Sequence, residues 1–456
     1  MSNGDIHLKI ITRDAHPISR AEISENALKV LYRLSKHGYD AFLVGGGVRD
    51  LLLGQKPKDF DIATNATPEQ IEKLFRNCRL IGRRFRLAHI MFGREIIEVA
   101  TFRGHHEAPK QVKAPVKTSK IKDVSAQSKE GMLLRDNVYG TIEEDAQRRD
   151  FSINAMYYNI KDFSIHDYAD GARDLKAGII RILGEPEQRY REDPVRMLRA
   201  VRFAAKLDMT IEPATAEPIH ELQHLLEDIP AARLFEESLK LLQSGQGYQT
   251  YKMLREFNLF APLFPDVARE FTPDHSSHTE QMIETVLRST DARLAEGKRI
   301  NPAFMFAAFL WYPLEQRAHE LMELKSLNYY DAVMMASNQV LDSQVKSIAI
   351  PRRHTATIRD IWMLQLRLPR RAGKRAFQLL SLAKFRAGFD MLEMRGQIQG
   401  GDIEELATWW EQFQEAPQVH RQAMVTRVTN PPGSSRKRKR PHKKRKPKAQ
   451  ATPKAE

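Results

Sequence analysis

Apolar residues first recur at helical spacing between Ser24 and Lys36, where Ala27, Val30, Leu31 and Leu34 fall on one face, Ser24 is a candidate N-cap and Gly38 follows the end. The pattern then shortens. Ala41 to Val44, Phe60 to Ala63, Arg79 to Ile81, His89 to Phe92 and Glu95 to Thr101 have strand character, with Gly93-Arg94 as a tight turn between the last two. Thr67-Pro68-Glu69-Gln70 predicts a helix running to Phe75, capped by Thr67 with Pro68 at its first position. From Tyr190 onward helical periodicity takes over, through Arg191 to Lys206, Pro230 to Gln243 and several segments between Pro302 and Trp410. The fold class expected is therefore α+β: a small mixed sheet in the N-terminal part, then an all-α remainder.

A chain of 456 residues exceeds what one core usually supports, so two or three structured units are expected. The longest apolar run, Ala303 to Tyr312, ends at Pro313 and is too short to span a bilayer. Met1 to Asp14 is polar and lacks the apolar stretch of an export signal, and Cys78 is the single cysteine, which excludes an internal disulfide and a cysteine-based zinc cluster. A cytoplasmic protein with no membrane span is expected. The formal charge of +14 is concentrated at one end: Pro431 to Glu456 holds eleven Lys/Arg against one acid. That tail, and the lysine-rich, aromatic-free stretch from Pro109 to Glu130, are too polar to bury a core and are expected to be a disordered end and a surface loop.

Two chemical features stand close together. Leu43-Val44-Gly45-Gly46-Gly47-Val48-Arg49-Asp50 is a glycine turn, where backbone N–H groups can approach a phosphate with no Cβ in the way. Fourteen residues after Gly45 come Asp59-Phe60-Asp61. On a strand, residues i and i+2 face the same side roughly 6.5–7 Å apart, so both carboxylates can converge on one site. Such a site suits two Mg²⁺ ions roughly 3.5–4 Å apart in a phosphoryl-transfer centre. Arg148 and Arg149 offer guanidinium forks that match phosphate oxygens or a ribose. Asp193, Arg196, Arg199 and Arg202 recur every three residues and are expected to line one side of a helix.

These blocks, with Ile97-Glu98-Val99-Ala100-Thr101-Phe102-Arg103, Arg148-Arg149-Asp150-Phe151-Ser152-Ile153-Asn154-Ala155-Met156 and Arg191-Glu192-Asp193-Pro194-Val195-Arg196, stand in the order of one family. Over roughly residues 40 to 240 the chain resembles the class II nucleotidyltransferases, which include tRNA CCA-adding enzymes and bacterial poly(A) polymerases. The resemblance implies a catalytic head over 20–165, a neck that recognises the base over 166–255, a helical RNA-binding body over 256–415 and a disordered basic tail over 416–456. It implies Asp59, Asp61 and Asp150 as catalytic acids, with Mg²⁺ on Asp59 and Asp61, and ATP as substrate. Glu98 is the alternative third carboxylate. Gly45, Gly46, Arg49, Arg148, Arg149, Asn154, Asp193, Arg196, Arg199 and Arg202 are the expected nucleotide contacts. Asp193 and Arg196 would read a base edge that accepts and donates as adenine and cytosine both do, so this pair does not choose ATP over CTP.

Two features lean toward the polyadenylating branch. Leu80-Ile81-Gly82-Arg83-Arg84-Phe85-Arg86-Leu87-Ala88-His89 is similar to that branch's form of the segment, and the polycation at Arg436 to Lys446 suits diverse RNA because it gains affinity by counterion release without reading sequence. The leading expectation is template-independent addition of AMP to RNA 3′ ends, of mRNA, small RNA or decay intermediates. The alternatives are a CCA-adding enzyme with the same catalytic residues, and a non-catalytic RNA-binding adaptor. The resemblance further implies a monomer working beside an RNA chaperone and RNA-decay enzymes. His105-His106 and His275 with His278 are read as ordinary loop histidines, and the aromatic residues around Phe304 and Trp409-Trp410 as core.

Overall fold

The computed structural model describes residues 8–82, 86–104 and 138–429, with the backbone of two short paired strands, Ala126–Gln127 and Leu133–Arg135. Arg83 to Phe85, His105-His106, the remainder of Pro109 to Glu130 and the chain from Asn430 lie outside the described residues. Two compact units divide at Ile358/Arg359, inside the body expected over 256–415.

In the first unit, β1 (Lys9–Ile11), β2 (Ala41–Val44), β3 (Asp61–Thr64), β4 (Cys78–Ile81), β5 (Leu87–Phe92), β6 (Glu95–Thr101), β7 (Met156–Asn159) and β8 (Ile165–Asp167) form one sheet in the order β1-β8-β7-β2-β3-β6-β5-β4. Only β3 and β6 pair in parallel, so the sheet is mixed as expected, but it is larger than the five strands read from the sequence. The helix Glu25–Lys36 buries Ala27, Val30, Leu31 and Leu34, and Ser24 Oγ caps it by accepting from the Ala27 N–H at 3.1 Å. The helix Pro68–Leu74 starts with a reciprocal cap between Thr67 and Gln70. Under the centre of the sheet Phe42, Val44, Ala63, Phe102, Ala146, Tyr157 and Tyr168 form one apolar cluster. Helices follow over the segment expected as the neck, chiefly Val195–Leu207 and Ala231–Leu242. Among the described residues no helix is long and apolar enough to cross a membrane.

The second unit has its own core, where Leu364, Phe385, Phe389, Trp410 and Phe413 pack with Met424 and Val425. The Trp410 indole N–H donates to the Leu368 carbonyl at 3.0 Å, so its polar edge is satisfied. The tail expected from residue 416 does not begin there. Gln418–Thr429 form a helix whose Met424 and Val425 are buried, and Arg421 donates to the carbonyls of Phe413 and Gln414 at 2.7 and 2.6 Å.

One close approach ties the helix Gly171–Ala177 to the segment that carries Asp150 and Asn154. A Cβ at Gly171 would stand 2.2 Å from the Ser152 carbonyl oxygen, a backbone atom with no room to yield. Gly171→Ala is therefore expected to cost about 1–3 kcal/mol, as overpacking does, and to displace the Ser152–Asn154 turn. Urea unfolding set beside the activity of the same preparation checks both effects.

Candidate active site

The geometry starts from strand register. Val44 pairs with Asp61, Asp61 with Glu98 and Glu98 with His89, while Val44 on its other side pairs with Tyr157. Paired residues on adjacent strands project to the same face, so two carboxylates and the end of the glycine strand share one level. Val44, Asp61 and Glu98 line a cleft of about 800 Å³, opposite Arg103, Arg148, Arg149, Arg189, Glu192, Asp193 and Arg196. A second cleft of about 790 Å³, lined by His220, His224, Glu227 and Lys346, holds none of the expected site residues.

Asp59 and Asp61 do not both stand on a strand. β3 begins at Asp61, and Asp59 precedes it on the exposed chain with Phe60 buried between them. The two acids still feel each other. Burial first, then the charges of Glu98 and Asp59, push the Asp61 carboxyl up to about 6 against the pull of Arg149. Among the described residues no three His, Cys, Asp or Glu side chains gather into a ready-made metal cage. Mg²⁺ does not require one, because it binds through one or two carboxylates together with substrate phosphates and water. The crowded acids Asp61 and Glu98, with Asp59 beside them, fit such an ion.

Gly45 ends β2 with φ +68° and opens the short helix Gly46–Leu52. A side chain at Gly45 would meet Arg149 Nη1 at 3.5 Å and Asp61 Oδ2 at 3.9 Å, so the glycine brings backbone up to the acid and the guanidinium. Arg149 is held from behind. Its Nε donates to the Tyr157 hydroxyl at 2.8 Å, its Nη2 to Asp145 at 3.3 Å, and Tyr157 in turn donates to Asp145 at 2.6 Å. Burial opposes the Arg149 charge, but Tyr157, Asp145 and Asp150 outweigh it and keep the guanidinium protonated. Arg148 donates to the Gly104 carbonyl and lines the cleft.

Asp150, expected as the third catalytic acid, does not line the cleft. Its Oδ1 accepts from the Phe151 N–H at 2.8 Å and from Asn154 at 3.2 Å, and Arg199 pairs with its other oxygen. Burial raises this carboxyl, but Arg199, Asn154, the Phe151 N–H and Arg196 prevail and hold it below the ordinary carboxylate range. Arg49 and Asn154 join the same network: Arg49 donates to Asp50 at 2.6 and 2.8 Å and to Asn154 at 2.7 Å, and its guanidinium folds over Gly46. The carboxylate placed opposite Asp61 is Glu98.

The arginine row is less uniform than one side of a helix. A three-residue step turns the helix by about 300°, so each member falls about 60° behind the last. Asp193 lies between two helices, Pro186–Glu192 and Val195–Leu207, and receives both arms of Arg233 at 2.8 and 2.9 Å. Arg196 donates to the Arg189 carbonyl and to Glu192. Arg199 goes to Asp150, while Arg202 lies over the Phe203 ring, 4.8 Å from its centre. Arg202 has no hydrogen-bond or ion-pair partner among the described residues, and its Nε is buried without an acceptor. Burial first, and then the Arg199 charge, lower its pKa.

Sequence reasoning missed the residues that hold the contacts in place: Asp145, Tyr157, Arg189, Glu192 and Arg233. Arg189 reaches the carbonyls of Arg148 and Arg149, both at 2.8 Å, so it fastens the helix Pro186–Glu192 to the double-arginine segment. The sequence signal for Glu192 was its place beside Asp193; Tyr157 and Arg233 look like core and surface residues. His275 Nδ1 donates to the Glu280 carboxylate at 2.9 Å, to which Arg255 also donates, an ordinary polar cluster.

Residues 41–181 match the poly A polymerase head domain, 208–271 the probable RNA and SrmB-binding site of polymerase A, and 325–446 the polymerase A arginine-rich C-terminus. The poly(A) polymerase I of Salmonella typhimurium is 58% identical over 438 residues, covering 96% of this chain and 92% of the relative. A CC-adding tRNA nucleotidyltransferase of Halalkalibacterium halodurans is 32% identical over 64% of each chain. The Thermotoga maritima CCA-adding enzyme solved with tRNA shares the fold, with a TM-score of 0.58 at 21% identity over 90% of this chain and 86% of that one. With that extent of identity along nearly the whole chain, it belongs to the poly(A) polymerase I family.

Proposed function

We propose that this protein adds AMP from ATP to RNA 3′ ends without a template. The observation that carries the reading is the register Val44–Asp61–Glu98, which sets the glycine turn and two carboxylates at one end of a cleft rimmed by arginines. ATP would lie with its adenine edge toward Asp193 and Arg196 and its triphosphate toward Gly45, Gly46, Arg149, Arg199 and Arg202. Arg233 holds the Asp193 carboxylate fixed, which suits an acceptor for an exocyclic amine. Arg202, cationic, half-buried and unpartnered, suits a phosphate oxygen.

In the reaction the RNA 3′-oxygen attacks the α-phosphorus in line, a new phosphodiester bond forms, the bond to the β-phosphate oxygen breaks, and pyrophosphate leaves. Asp61, with Asp59 or Glu98, would hold Mg²⁺, which would neutralise phosphate charge and lower the pKa of the attacking hydroxyl. Arg149, braced by Tyr157 and Asp145, offsets charge that develops on the leaving group. Asp150 acts through Arg199 and Asn154 as a positioning residue. The large share of the chain matched by poly(A) polymerase I, against distant CC-adding relatives, favours polyadenylation over CCA addition.

Offered each nucleotide with Mg²⁺ and an unstructured RNA, the protein is expected to build long ladders with ATP alone. Addition of only two C residues and one A to a tRNA lacking its 3′ end would overturn this in favour of the CCA reading, and RNA binding without turnover would favour an adaptor.

Asp61→Asn is expected to abolish transfer and yet stabilise the metal-free fold. The folded carboxyl titrates near 6, above its ordinary value, so ionising it costs stability between about pH 4 and 6 and the full cost persists above. At pH 7.5 the variant should gain on the order of 2 kcal/mol; near pH 4 it should gain almost nothing. Thermal unfolding in EDTA at both pH values reads the difference. Arg202→Ala is expected to raise the KM for ATP at least about tenfold, the scale of a lost charged hydrogen bond, and to leave the unfolding midpoint nearly unchanged. Steady-state kinetics beside a melting curve check it.

A further inference from the structure

Asp174, on the helix Gly171–Ala177, is a buried carboxylate that does not line the cleft. One of its oxygens, Oδ2, accepts from the Ser152 hydroxyl at 2.7 Å and from Arg181 Nε at 2.9 Å. Arg181 reaches Ser152 directly as well, because its carbonyl accepts from the Ser152 N–H at 2.9 Å. Three hydrogen bonds therefore close a ring through Ser152, Arg181 and Asp174. A carboxylate is costly to bury unless it is paired and hydrogen-bonded. Here Arg181 supplies the charge, with Glu212 pairing it on the other side, and Ser152 supplies the second hydrogen bond.

The ring holds the turn Ser152–Asn154. On the backbone this segment is tied to one neighbouring stretch, by the Ser152 N–H to the Arg181 carbonyl and the Leu183 N–H to the Asp150 carbonyl, both at 2.9 Å, on either side of the bridge between Phe151 and Ile182. Two bonds to a single stretch leave a short segment free to twist about the line that joins them. The Ser152 hydroxyl bonds to a different element, the helix Gly171–Ala177, and so removes that freedom. At its far end the turn touches three groups expected around the nucleotide. The Asn154 amide donates to Asp150 at 3.2 Å, its side-chain oxygen accepts from Arg49 at 2.7 Å, and its carbonyl accepts from Arg149 Nη1 at 3.4 Å. Arg49 lies beside Gly46, and Arg149 beside Gly45.

We propose that Asp174 is a positioning residue for the nucleotide: through the Ser152 hydroxyl it fixes the rotation of the Ser152–Asn154 turn, and through Asn154 the places of Arg49 and Arg149 beside the glycine turn. The proposal rests on the reading that this cleft takes ATP. A misplacement of about 1 Å in groups that orient a substrate costs on the order of a hundredfold in rate, so a buried ring that holds such groups from behind bears on binding without touching the ligand.

The test compares Ser152→Ala, Asp174→Ala and the double variant in the full-length chain, and measures the KM for ATP, the KM for RNA, kcat and the melting temperature. Ser152→Ala removes one hydroxyl and leaves Asp174 paired with Arg181, so its fold is expected to persist. Partial unfolding lowers the active fraction, and with it kcat, but leaves each KM as it was. Loss of positioning instead raises the KM for ATP about tenfold in each single variant, the scale of one hydrogen bond to a charged group, with the KM for RNA unchanged. Because Asp174 acts through Ser152, the double variant should raise the KM for ATP no further than Asp174→Ala alone, whereas independent roles would multiply to about a hundredfold. Ser337→Ala removes another buried serine hydroxyl, one bonded to the Met334 carbonyl at 2.8 Å, and should leave both KM values unchanged. A fall in kcat alone in step with the folded fraction, an equal effect of Ser337→Ala, or multiplied effects in the double variant overturns the proposal. If Asp174→Ala does not fold, the KM of Ser152→Ala for ATP decides alone. An unaltered protein that neither binds nor turns over ATP would instead overturn the functional reading on which the proposal rests.

Discussion

The lateral pairing of Tyr157, Val44, Asp61, Glu98 and His89 across five strands is the constraint on which the rest depends. One backbone ladder decides the distance between a glycine turn, two acids and the tyrosine that braces Arg149. A slip of one residue on β3 would turn Asp61 toward the opposite face and put Ile62 in its place. Phe60 and Ile62, both buried, oppose that slip, since it would expose them. The register is thus set by apolar burial, and the chemistry inherits it.

The charges around the cleft are arranged in layers. Nearest the cleft, Glu98 meets the His89 ring at 3.3 Å, and burial first, then the Glu98 charge, raises the carboxyl of Asp61. Behind them, Arg149 is matched by Asp145 and Tyr157, Asp193 by Arg233, and Asp150 by Arg199 and Asn154. Satisfied pairs in a low dielectric are rigid and costly to break. Arg202 is not among the residues that line the cleft, and its Nε is buried without an acceptor.

Much of this was legible in the sequence because it is local. Ser24, Thr67 and Pro68 announce helix starts through hydrogen bonds made within three residues, and Ala41 to Val44 and Glu95 to Thr101 carry strand patterns that match their observed bounds. What escaped depends on partners distant in the chain. β1 and β8 are three residues each, too short to show alternation, and form only because each finds an edge to pair with. The acid in Arg148-Arg149-Asp150 is visible in the sequence, while its partner Arg199, from a helix about fifty residues on, is supplied by three-dimensional packing. Glu98 could be named from its strand, while its place beside Asp61 needed the pairing of β3 with β6. Similarly, a three-residue repeat suggests a straight row, and only the angle of the helix shows that Arg196, Arg199 and Arg202 wind around it.

The last helix of the second unit separates two kinds of frontier that composition merges. Judged by charge and polarity, the chain changes character near residue 416; judged by packing, the fold continues to Thr429, since Met424 and Val425 complete a core with Trp410 and Phe413 and Arg421 satisfies two carbonyls there. A chain ended at the compositional frontier would lose an inner wall of its second unit together with the tail. Shortening experiments that cut there would then report a packing defect under the name of a binding defect, and the two can be told apart only by cutting after the helix.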